Sequence, residues 1–281
     1  MSLPQNLSRK FRAKAVAIGG AGSRVLEQLA LQSAGGIETL AVHTNPRVLE
    51  PLNLKDKLLI GSEITFGLGA AGDPAVAQRC LESHTAAIAE FCQDADLLFV
   101  IAGMGGGTGS GAAPLIAQMG KSAGCLVLSV AILPFEFEGV RRNEQAESGL
   151  ERLRQTSDAV LVLPNQKAQQ LVNPKAGAGQ AFLAMNQHIA EGVCAVWQMI
   201  DRPGLINVDF AYLYSILRGR HYSSVLATVK SSGPDCAKNL VPMLLEHPLM
   251  EKGVALKEAQ ETLVSIIGGP DMTILDINKI M

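Results

Sequence analysis

Two glycine-rich segments carry the clearest chemistry in this sequence: residues 19–23, and residues 103–111, where six of nine positions are glycine. Backbone without Cβ atoms can approach an anion closely, and successive amide N–H groups can surround phosphate oxygens. A helix predicted over 112–119 would add its N-terminal dipole, and Thr108 and Ser110 could supply hydroxyl groups. One such segment could equally mark close packing of a helix on a strand, but two in one sheet predict a phosphate site.

The glycine segments differ from two familiar phosphate-binding sequences. Neither ends in Gly-Lys-Ser/Thr, so phosphate would be held by backbone amides rather than by a P-loop lysine, which disfavours Walker-type ATPases. The first segment lacks the third glycine of the dinucleotide fingerprint, because Arg24 and Val25 follow soon after Gly22. A nicotinamide-dependent enzyme would also leave the second glycine segment without a role.

Short apolar runs alternate with longer amphipathic stretches from residue 14 onward. Strands are predicted over 15–19, 39–44, 97–103, 126–133 and 159–164. Helices are predicted between them, over 24–33, 74–92 and 142–156. This alternation predicts an α/β fold with a doubly wound, mainly parallel sheet, whose ligand crevice lies beyond the carboxyl ends of the strands.

A long helix and a smaller second domain are predicted next. Apolar residues recur at helical spacing over 182–200 and predict one helix that carries the chain roughly 27 Å. Strands predicted over 224–230 and 261–268 flank a helix near 235–245, which indicates a second, smaller α+β domain. The resulting division is an N-terminal arm (1–13), a nucleotide-binding domain (14–181), a central helix (182–202) and a C-terminal domain (203–281).

Composition excludes several classes of protein. The chain has 281 residues, 48% of them hydrophobic, and a formal charge of −2, so it is expected to fold and lacks the positive charge that holds nucleic acids. Its five cysteines lie at least twelve residues apart and its five histidines are scattered, which suggests neither a disulfide framework nor a protein metal site. No apolar run could span a bilayer and no leader-like segment begins the chain, so we expect a cytoplasmic protein without direct membrane insertion.

Residues 103–114, Gly-Met-Gly-Gly-Gly-Thr-Gly-Ser-Gly-Ala-Ala-Pro, resemble the signature loop of the tubulin/FtsZ superfamily, and specifically of its FtsZ-like members. Further segments resemble the same family in the same order along the chain: 19–23, 67–74, 134–139, 164–165 and 204–211. The resemblance implies a tubulin/FtsZ-type GTPase domain, a long central helix and a smaller second domain. It also implies a bacterial cytoskeletal protein of cell division that binds GTP or GDP and assembles head to tail into filaments.

The resemblance also assigns roles to residues of the nucleotide site. The residues that it places around the phosphates are Gly20, Ala21, Gly22, Ala70, Ala71, Gly105, Gly106, Gly107, Thr108 and Gly109. Glu138 and Arg142 would reach the sugar and the phosphates. Asn165 and Phe182 would meet the guanine by hydrogen bonding and stacking, with Gln187 at a position where the family usually carries a carboxylate.

A separate segment, 204–212, resembles the family's catalytic loop, in which Asp209 and Asn207 would act. The long helix places this loop and the glycine segments at opposite ends, so within one subunit they cannot meet. An acidic group there would reach a bound triphosphate only in a neighbouring subunit, which makes hydrolysis dependent on assembly and the interface heterologous. Mg²⁺ is expected to accompany GTP.

Several positions depart from the family pattern. Tyr212 stands where the family has a second acid in the catalytic loop, and a phenol cannot polarise water as a carboxylate does. On the base and ribose side, the family usually carries Asn, Asp, Thr, Asp and Asp at the positions of Arg24, Asn45, Ile132, Gln166 and Gln187. These changes predict weak GTP hydrolysis and leave the choice of base open. Because family members continue well beyond 268–269, we also expect an incomplete second domain.

Three functions fit these observations. The first is an FtsZ-like cytoskeletal protein that binds guanine nucleotide, self-associates into filaments and hydrolyses GTP weakly or only on assembly. The alternative is a non-hydrolysing nucleotide-binding protein that regulates or co-assembles with a conventional FtsZ. A Rossmann-type oxidoreductase is the third. The nucleotide that stays on the purified protein, GDP or NAD, would separate the third from the others.

Overall fold

A parallel sheet organises the computed structural model, which describes residues 11–33, 36–201, 210–233, 235–269 and 271–281. In this part of the chain the strands are β1 (Ala13–Ile18), β2 (Ile37–His43), β3 (Lys57–Leu59), β4 (Leu97–Gly103), β5 (Leu126–Leu133), β6 (Ala159–Pro164) and β7 (Tyr222–Ser224). They form one sheet in the order β3-β2-β1-β4-β5-β6-β7, and each neighbouring pair is parallel. The predicted doubly wound parallel sheet is therefore confirmed.

Helices cover both faces of the sheet. The described helices are α1 (Gly19–Gln32), α2 (Pro46–Leu49), α3 (Ser62–Thr65), α4 (Pro74–Glu82), α5 (Thr85–Cys92), α6 (Gly107–Ser122), α7 (Val140–Thr156), α8 (Asn165–Ala168), α9 (Ala178–Asp201), α10 (Phe210–Leu217), α11 (Cys236–Leu245), α12 (Val254–Glu258) and α13 (Ile274–Ile280). One apolar core joins the sheet to α1, α9 and α10, and the other joins it to α4, α5, α6 and α7.

The central strands are apolar over almost their whole length because both of their faces are covered. All six residues of β1 are buried, as are the first six of β4. Lys14 is the one charged residue of β1, and its ammonium lies 3.3 Å from a carboxylate oxygen of Glu38 and 5.2 Å from the ring centroid of Phe91. The bounds predicted for β4, β5 and β6 agree with the structure, whereas the single helix predicted over 74–92 is two helices, α4 and α5.

The long helix α9 runs for 24 residues, which corresponds to about 36 Å. Buried side chains recur every four residues along it, at Met185, Ile189, Val193 and Trp197. The last three belong to the core that includes the sheet, whereas Met185 packs with Phe135 and Ala168. Near the start of the helix Phe182 lines the cleft at the carboxyl ends of the strands. Near its end the Trp197 ring lies against Gly36, just before β2, so the helix carries the chain toward the amino ends of the strands.

The two strands predicted for the second domain are absent from the described residues. Only Ser224 of the range 224–230 belongs to a strand, β7, which pairs with β6 at the edge of the main sheet. Residues 261–268 form no strand and include the exposed side chains of Val264 and Ile267. A strand needs a neighbour for its N–H and C=O groups, and this segment has none among the described residues. The predicted helix near 235–245 is confirmed as α11, and the division into domains stays a prediction.

Candidate functional site

A cleft of about 770 Å³ opens at the carboxyl ends of the strands. The segments that follow β1, β2, β4, β5 and β6 line it, together with residues 68–72 before α4 and the start of α9. β1 and β4 are neighbours in the sheet, and the chain leaves them on opposite sides. This is the topological switch point at which open α/β sheets bind their ligands.

Thirteen of the fifteen residues predicted to bind nucleotide line this single cleft. They are Gly20, Ala21, Ala70, Ala71, Gly105, Gly106, Gly107, Thr108, Gly109, Glu138, Arg142, Asn165 and Phe182. They come from six separate parts of the chain, so the fold brings together what the sequence spreads over more than 160 positions.

Two helices begin at the middle of the cleft. α1 starts at Gly19 and α6 at Gly107, and a Cβ atom on Gly19 would lie 3.3 Å from the nitrogen of Gly109. The first amides of a helix have no acceptor within the helix, and the helix dipole makes this end positive. Two such ends side by side form a site for an anion such as phosphate.

Glycine occupies the positions of the second segment, 103–111, for different structural reasons. A Cβ atom on Gly109 would lie 2.0 Å from the carbonyl oxygen of Gly103, and one on Gly107 would lie 2.8 Å from the nitrogen of Asp73. A Cβ atom on Gly106 would meet nothing within 4 Å. Gly109 and Gly107 therefore allow close packing of α6, whereas Gly106 faces the open cleft.

The hydroxyl groups of Thr108 and Ser110 both bond within the loops, and the buried Ser110 hydroxyl does not line the cleft, contrary to the expectation that it faces a phosphate. The Thr108 Oγ1 lies 2.9 Å from Oγ1 of Thr44, which also accepts a hydrogen bond from the Ala70 amide at 3.1 Å. Ser110 is fully buried, and its Oγ accepts a hydrogen bond from the Gly105 amide at 2.8 Å. The contact between Thr108 and Thr44 fixes the glycine segment to the end of β2, and the backbone amides at the start of α6 are available as donors toward a ligand.

The charged side chains of the cleft lie after β5. Arg142 and Glu138 form an ion pair at 3.0 Å, and the other oxygen of Glu138 accepts a hydrogen bond from the Phe135 amide at 2.9 Å. Arg141 also lines the cleft. Among the described lining residues there is no lysine and no other carboxylate, so the two arginines give this part of the cleft a positive balance.

An aromatic ring and an amide stand at the far end of the cleft. Phe182 is 48% exposed, and its ring meets the buried Phe135 ring edge to face, with the centroids 5.8 Å apart. Asn165 begins α8 directly after β6. A free ring face and an amide that both donates and accepts hydrogen bonds suit a planar heterocycle.

Several predicted or discussed residues lie outside the cleft. A Cβ atom on Gly22 would lie 2.3 Å from the carbonyl oxygen of Ile101, so this glycine allows α1 to pack on β4. Gln187 is exposed on α9, as a surface amide would be, and Asn186 follows Phe182 by four residues and so shares its side of the helix. The Arg24 guanidinium lies 3.7 Å from a carboxylate oxygen of Glu27, and this residue does not line the cleft. Gln166, also exposed, is not among the lining residues either.

His43 lines the cleft and was not anticipated from the sequence. The Asn45 amide donates a hydrogen bond to its Nδ1 at 2.9 Å, and Asn45 caps α2. Burial lowers the pKa of His43 from its ordinary value of 6.5 to about 4, so the ring is neutral at physiological pH. The available signal was its position at the end of β2, which neighbours β1 and its glycine segment.

Of the segment predicted to complete the active site, 204–212, only residues 210–212 are described, and they lie near the amino end of β1. Asp209 and Asn207 fall within 202–209, outside the described residues, so their roles stay predictions. Tyr212 is in the first turn of α10 and is 55% exposed. The neighbouring Phe210 ring lies 4.8 Å from that of Phe11, just before β1. The length of β1, about 20 Å, thus separates this turn from the cleft.

Metal ligands and membrane helices are not found in the described residues. They contain no group of three or more His, Cys, Asp or Glu side chains that could hold a metal ion. None of the described helices has the length and apolar character that crossing a bilayer requires.

Comparisons with known proteins agree with this arrangement. FtsZ from the archaeon Methanothermobacter thermautotrophicus is 36% identical over 266 residues, which cover 95% of this chain and 69% of that protein. A solved mutant of FtsZ from M. jannaschii matches with a TM-score of 0.83 and 31% identity, over 96% of this chain and 80% of that one. CetZ2 from Haloferax volcanii, solved as a GTPγS-bound protofilament, matches with a TM-score of 0.65 and 26% identity, over 74% and 63%.

These matches give no support to the oxidoreductase alternative, and the bacterial origin and cytoplasmic location stay predictions. Residues 12–173, more than half of the chain, match the description "Tubulin/FtsZ family, GTPase domain". With the cleft, the two helix N-termini and the FtsZ relatives in agreement, the chain belongs to the Tubulin/FtsZ family of GTPases.

Proposed function

We propose that this protein is an FtsZ-like cytoskeletal protein that binds GTP or GDP in the cleft and self-associates head to tail, with weak or assembly-dependent GTP hydrolysis. The observation that carries the proposal is the pair of helix N-termini, α1 and α6, at the centre of the cleft. They supply amides and dipoles to phosphates without a lysine, which is what a backbone-based phosphate site requires.

The lining residues indicate how the base, ribose and phosphates of the nucleotide would be ordered across the carboxyl ends of the strands. The base would lie between Phe182 and Asn165 beside β6, and the ribose would lie by Glu138 and Arg142 after β5. The phosphates would follow toward β4 and β1, where α6 and α1 begin. The last phosphate would then point toward the end of β2, since four strand spacings of about 4.8 Å, roughly 19 Å, separate β6 from β2.

Head-to-tail self-association is supported by two different surfaces that lie at opposite ends of the strands. The loops that border the cleft expose large apolar side chains, at 84% for Phe66, 82% for Leu68, 78% for Phe137 and 74% for Val140. Apolar groups clustered around an opening commonly mark contact surfaces. The first turn of α10 lies near the amino end of β1, at the other end of the strands from the cleft. A contact between the two surfaces would therefore be heterologous and could repeat into a filament.

Hydrolysis would need the second subunit. In this proposal Asp209 and Asn207 of one subunit approach the terminal phosphate in the cleft of the next, and Tyr212 stands nearby in place of an acid. A phenol does not position water as a carboxylate does, and loss of a water-positioning group commonly costs about 10²–10⁴ in rate. Slow turnover in the assembled state follows.

Mg²⁺ would be bound through the nucleotide. The only described carboxylate that lines the cleft is Glu138, which is already paired with Arg142 and bonded to the Phe135 amide. A magnesium ion would therefore take its ligands from phosphate oxygens and water, as this ion does at other phosphate sites. Its contribution would be to neutralise phosphate charge, while the protein positions the chain of phosphates.

The alternative is a nucleotide-binding protein that does not hydrolyse GTP and co-assembles with a conventional FtsZ. Tyr212 is the observation that favours it, because the exposed phenol occupies the surface from which a neighbouring subunit's nucleotide would be attacked.

Nucleotide identification followed by pelleting tests both functions. Nucleotide released from the purified protein by denaturation should be GDP or GTP, and the protein should pellet with GTP but not with ATP. Release of NAD or an adenine nucleotide would contradict the proposal. Pelleting only after a conventional FtsZ is added would support the alternative.

A further inference from the structure

We propose that His43 recognises the terminal phosphate of the bound nucleotide as a neutral hydrogen-bond donor, and so sets the preference of this cleft for the triphosphate over the diphosphate. The inference rests on the proposed function and adds a specificity-determining residue to it. Position, tautomer and surroundings of the ring each support it.

The position follows from strand register. Ile18 of β1 pairs with Val42 of β2, so His43 stands beside Gly19, where α1 and its phosphate-binding turn begin. His43 lines the cleft on the side away from Asn165 and Phe182. A nucleotide whose base lies at that other end extends its last phosphate toward β2, and a diphosphate would end before it.

The tautomer follows from a backbone hydrogen bond. The Asn45 amide can only donate, and it lies 2.9 Å from Nδ1 of His43, so Nδ1 is an acceptor without a proton. In the neutral ring the proton is then on Nε2, which is a donor and not a metal ligand. The ring can therefore bond a phosphate oxygen directly, but it cannot take part in magnesium coordination in this state.

The surroundings keep that donor in place. Thr44, the next residue, bonds both the Thr108 hydroxyl and the Ala70 amide, and Asn45 caps α2 through its side-chain oxygen at 3.0 Å from the Arg47 nitrogen. The His43 carbonyl oxygen accepts a hydrogen bond from the Ile60 amide at 3.0 Å. The backbone on both sides of the ring is thus held by the same loops that form the phosphate site.

The test is the ratio of GTP to GDP affinity, measured by titration calorimetry on nucleotide-free protein with and without Mg²⁺. His43→Phe keeps an aromatic ring but removes the hydrogen-bond donor. It should lower the affinity for GTP by about tenfold or more and change the affinity for GDP by less than about twofold. His43→Gln restores a neutral donor and should recover most of the GTP affinity. The matched control is His84→Phe, a half-buried histidine outside the cleft that bonds the Cys80 carbonyl oxygen.

The proposal would be overturned if His43→Phe lowered the affinities for GTP and GDP equally, or if it left both affinities, and so their ratio, unchanged. If that variant does not fold, ¹⁵N-histidine spectra of the unaltered protein decide the matter. The Nε2–H signal of His43 should move when GTP replaces GDP, and an unmoved signal would overturn the proposal. Failure of the unaltered protein to bind either guanine nucleotide would instead contradict the proposed function.

Discussion

Alanine substitutions at two glycines of the glycine-rich segment 103–111 should separate an effect on packing from an effect on ligand binding. Gly106 and Gly109 both line the cleft, yet their surroundings differ. A Cβ atom on Gly109 would lie 2.0 Å from the Gly103 carbonyl oxygen and 3.0 Å from its carbon, and both are backbone atoms of β4 that cannot rotate away. On Gly106 the same atom meets no protein atom within 4 Å.

The expected stabilities follow from these distances. Gly109→Ala requires a displacement of about 1 Å between α6 and β4, and overpacking of this kind costs about 3 kcal/mol in the free energy of unfolding. Such a loss lowers Tm by roughly 6–12 °C in a chain of this size. Gly106→Ala changes stability by less than about 1 kcal/mol, because the poorer N-cap residue is offset by the lower entropy of the unfolded chain.

Nucleotide affinity should follow the opposite order among folded variants. The methyl group of Gly106→Ala extends into the space of the phosphates, so GTP and GDP should both bind at least about tenfold more weakly. The control is Gly177→Ala, an exposed glycine outside the cleft whose Cβ also meets nothing within 4 Å, and it should change neither property. Thermal unfolding and calorimetric titration measure the two effects. Wild-type affinity in a folded Gly106→Ala variant would refute the placement of the phosphates.

Three further predictions concern other residues. Tyr212→Asp should raise phosphate release from GTP by at least about tenfold while Tyr212→Phe leaves it unchanged, and an unchanged rate in a Tyr212→Asp variant that binds GTP would contradict the catalytic placement of α10. Thr44→Val should lower the free energy of unfolding in urea by about 1–3 kcal/mol, because the Ala70 amide and Thr108 lose their buried partner, and a loss no larger than in the exposed Thr85→Val would contradict this bridge. The lowered pKa of His43 makes its contribution to stability fully present above pH 6.5 and lost as the pH falls toward about 4, because the unfolded chain takes up the proton first. His43→Gln should therefore flatten the fall in Tm over that range, and an unchanged slope would show that the ring is not buried as described.

The sheet could be predicted from the sequence because its strands are covered on both faces. Continuous apolar runs gave correct bounds for β4, β5 and β6, and the four-residue spacing of Met185, Ile189 and Val193 gave the long helix. Residues 261–268 show the limit of this reasoning. Their apolar composition suits a strand, but a strand also depends on a pairing partner elsewhere in the chain, which local composition does not reveal.

The site could be predicted in outline but not in the role of each residue. Gly20 and Gly22 look alike in the sequence, yet Gly20 lines the cleft whereas Gly22 packs on Ile101 of β4. The hydroxyl of Ser110 looks available in the sequence and is instead buried and bonded to the Gly105 amide. Such differences depend on which face of a turn meets the neighbouring strand, and short-range spacing does not determine that.

Phosphate release from GTP, measured over a series of protein concentrations with ATP as the control, tests the central claim most directly. Two subunits are expected to build the active site, so the rate per subunit should be low, should rise with protein concentration and should be absent with ATP. A background rate with GTP at every concentration, or equal rates with GTP and ATP, would contradict a guanine-specific site completed by assembly.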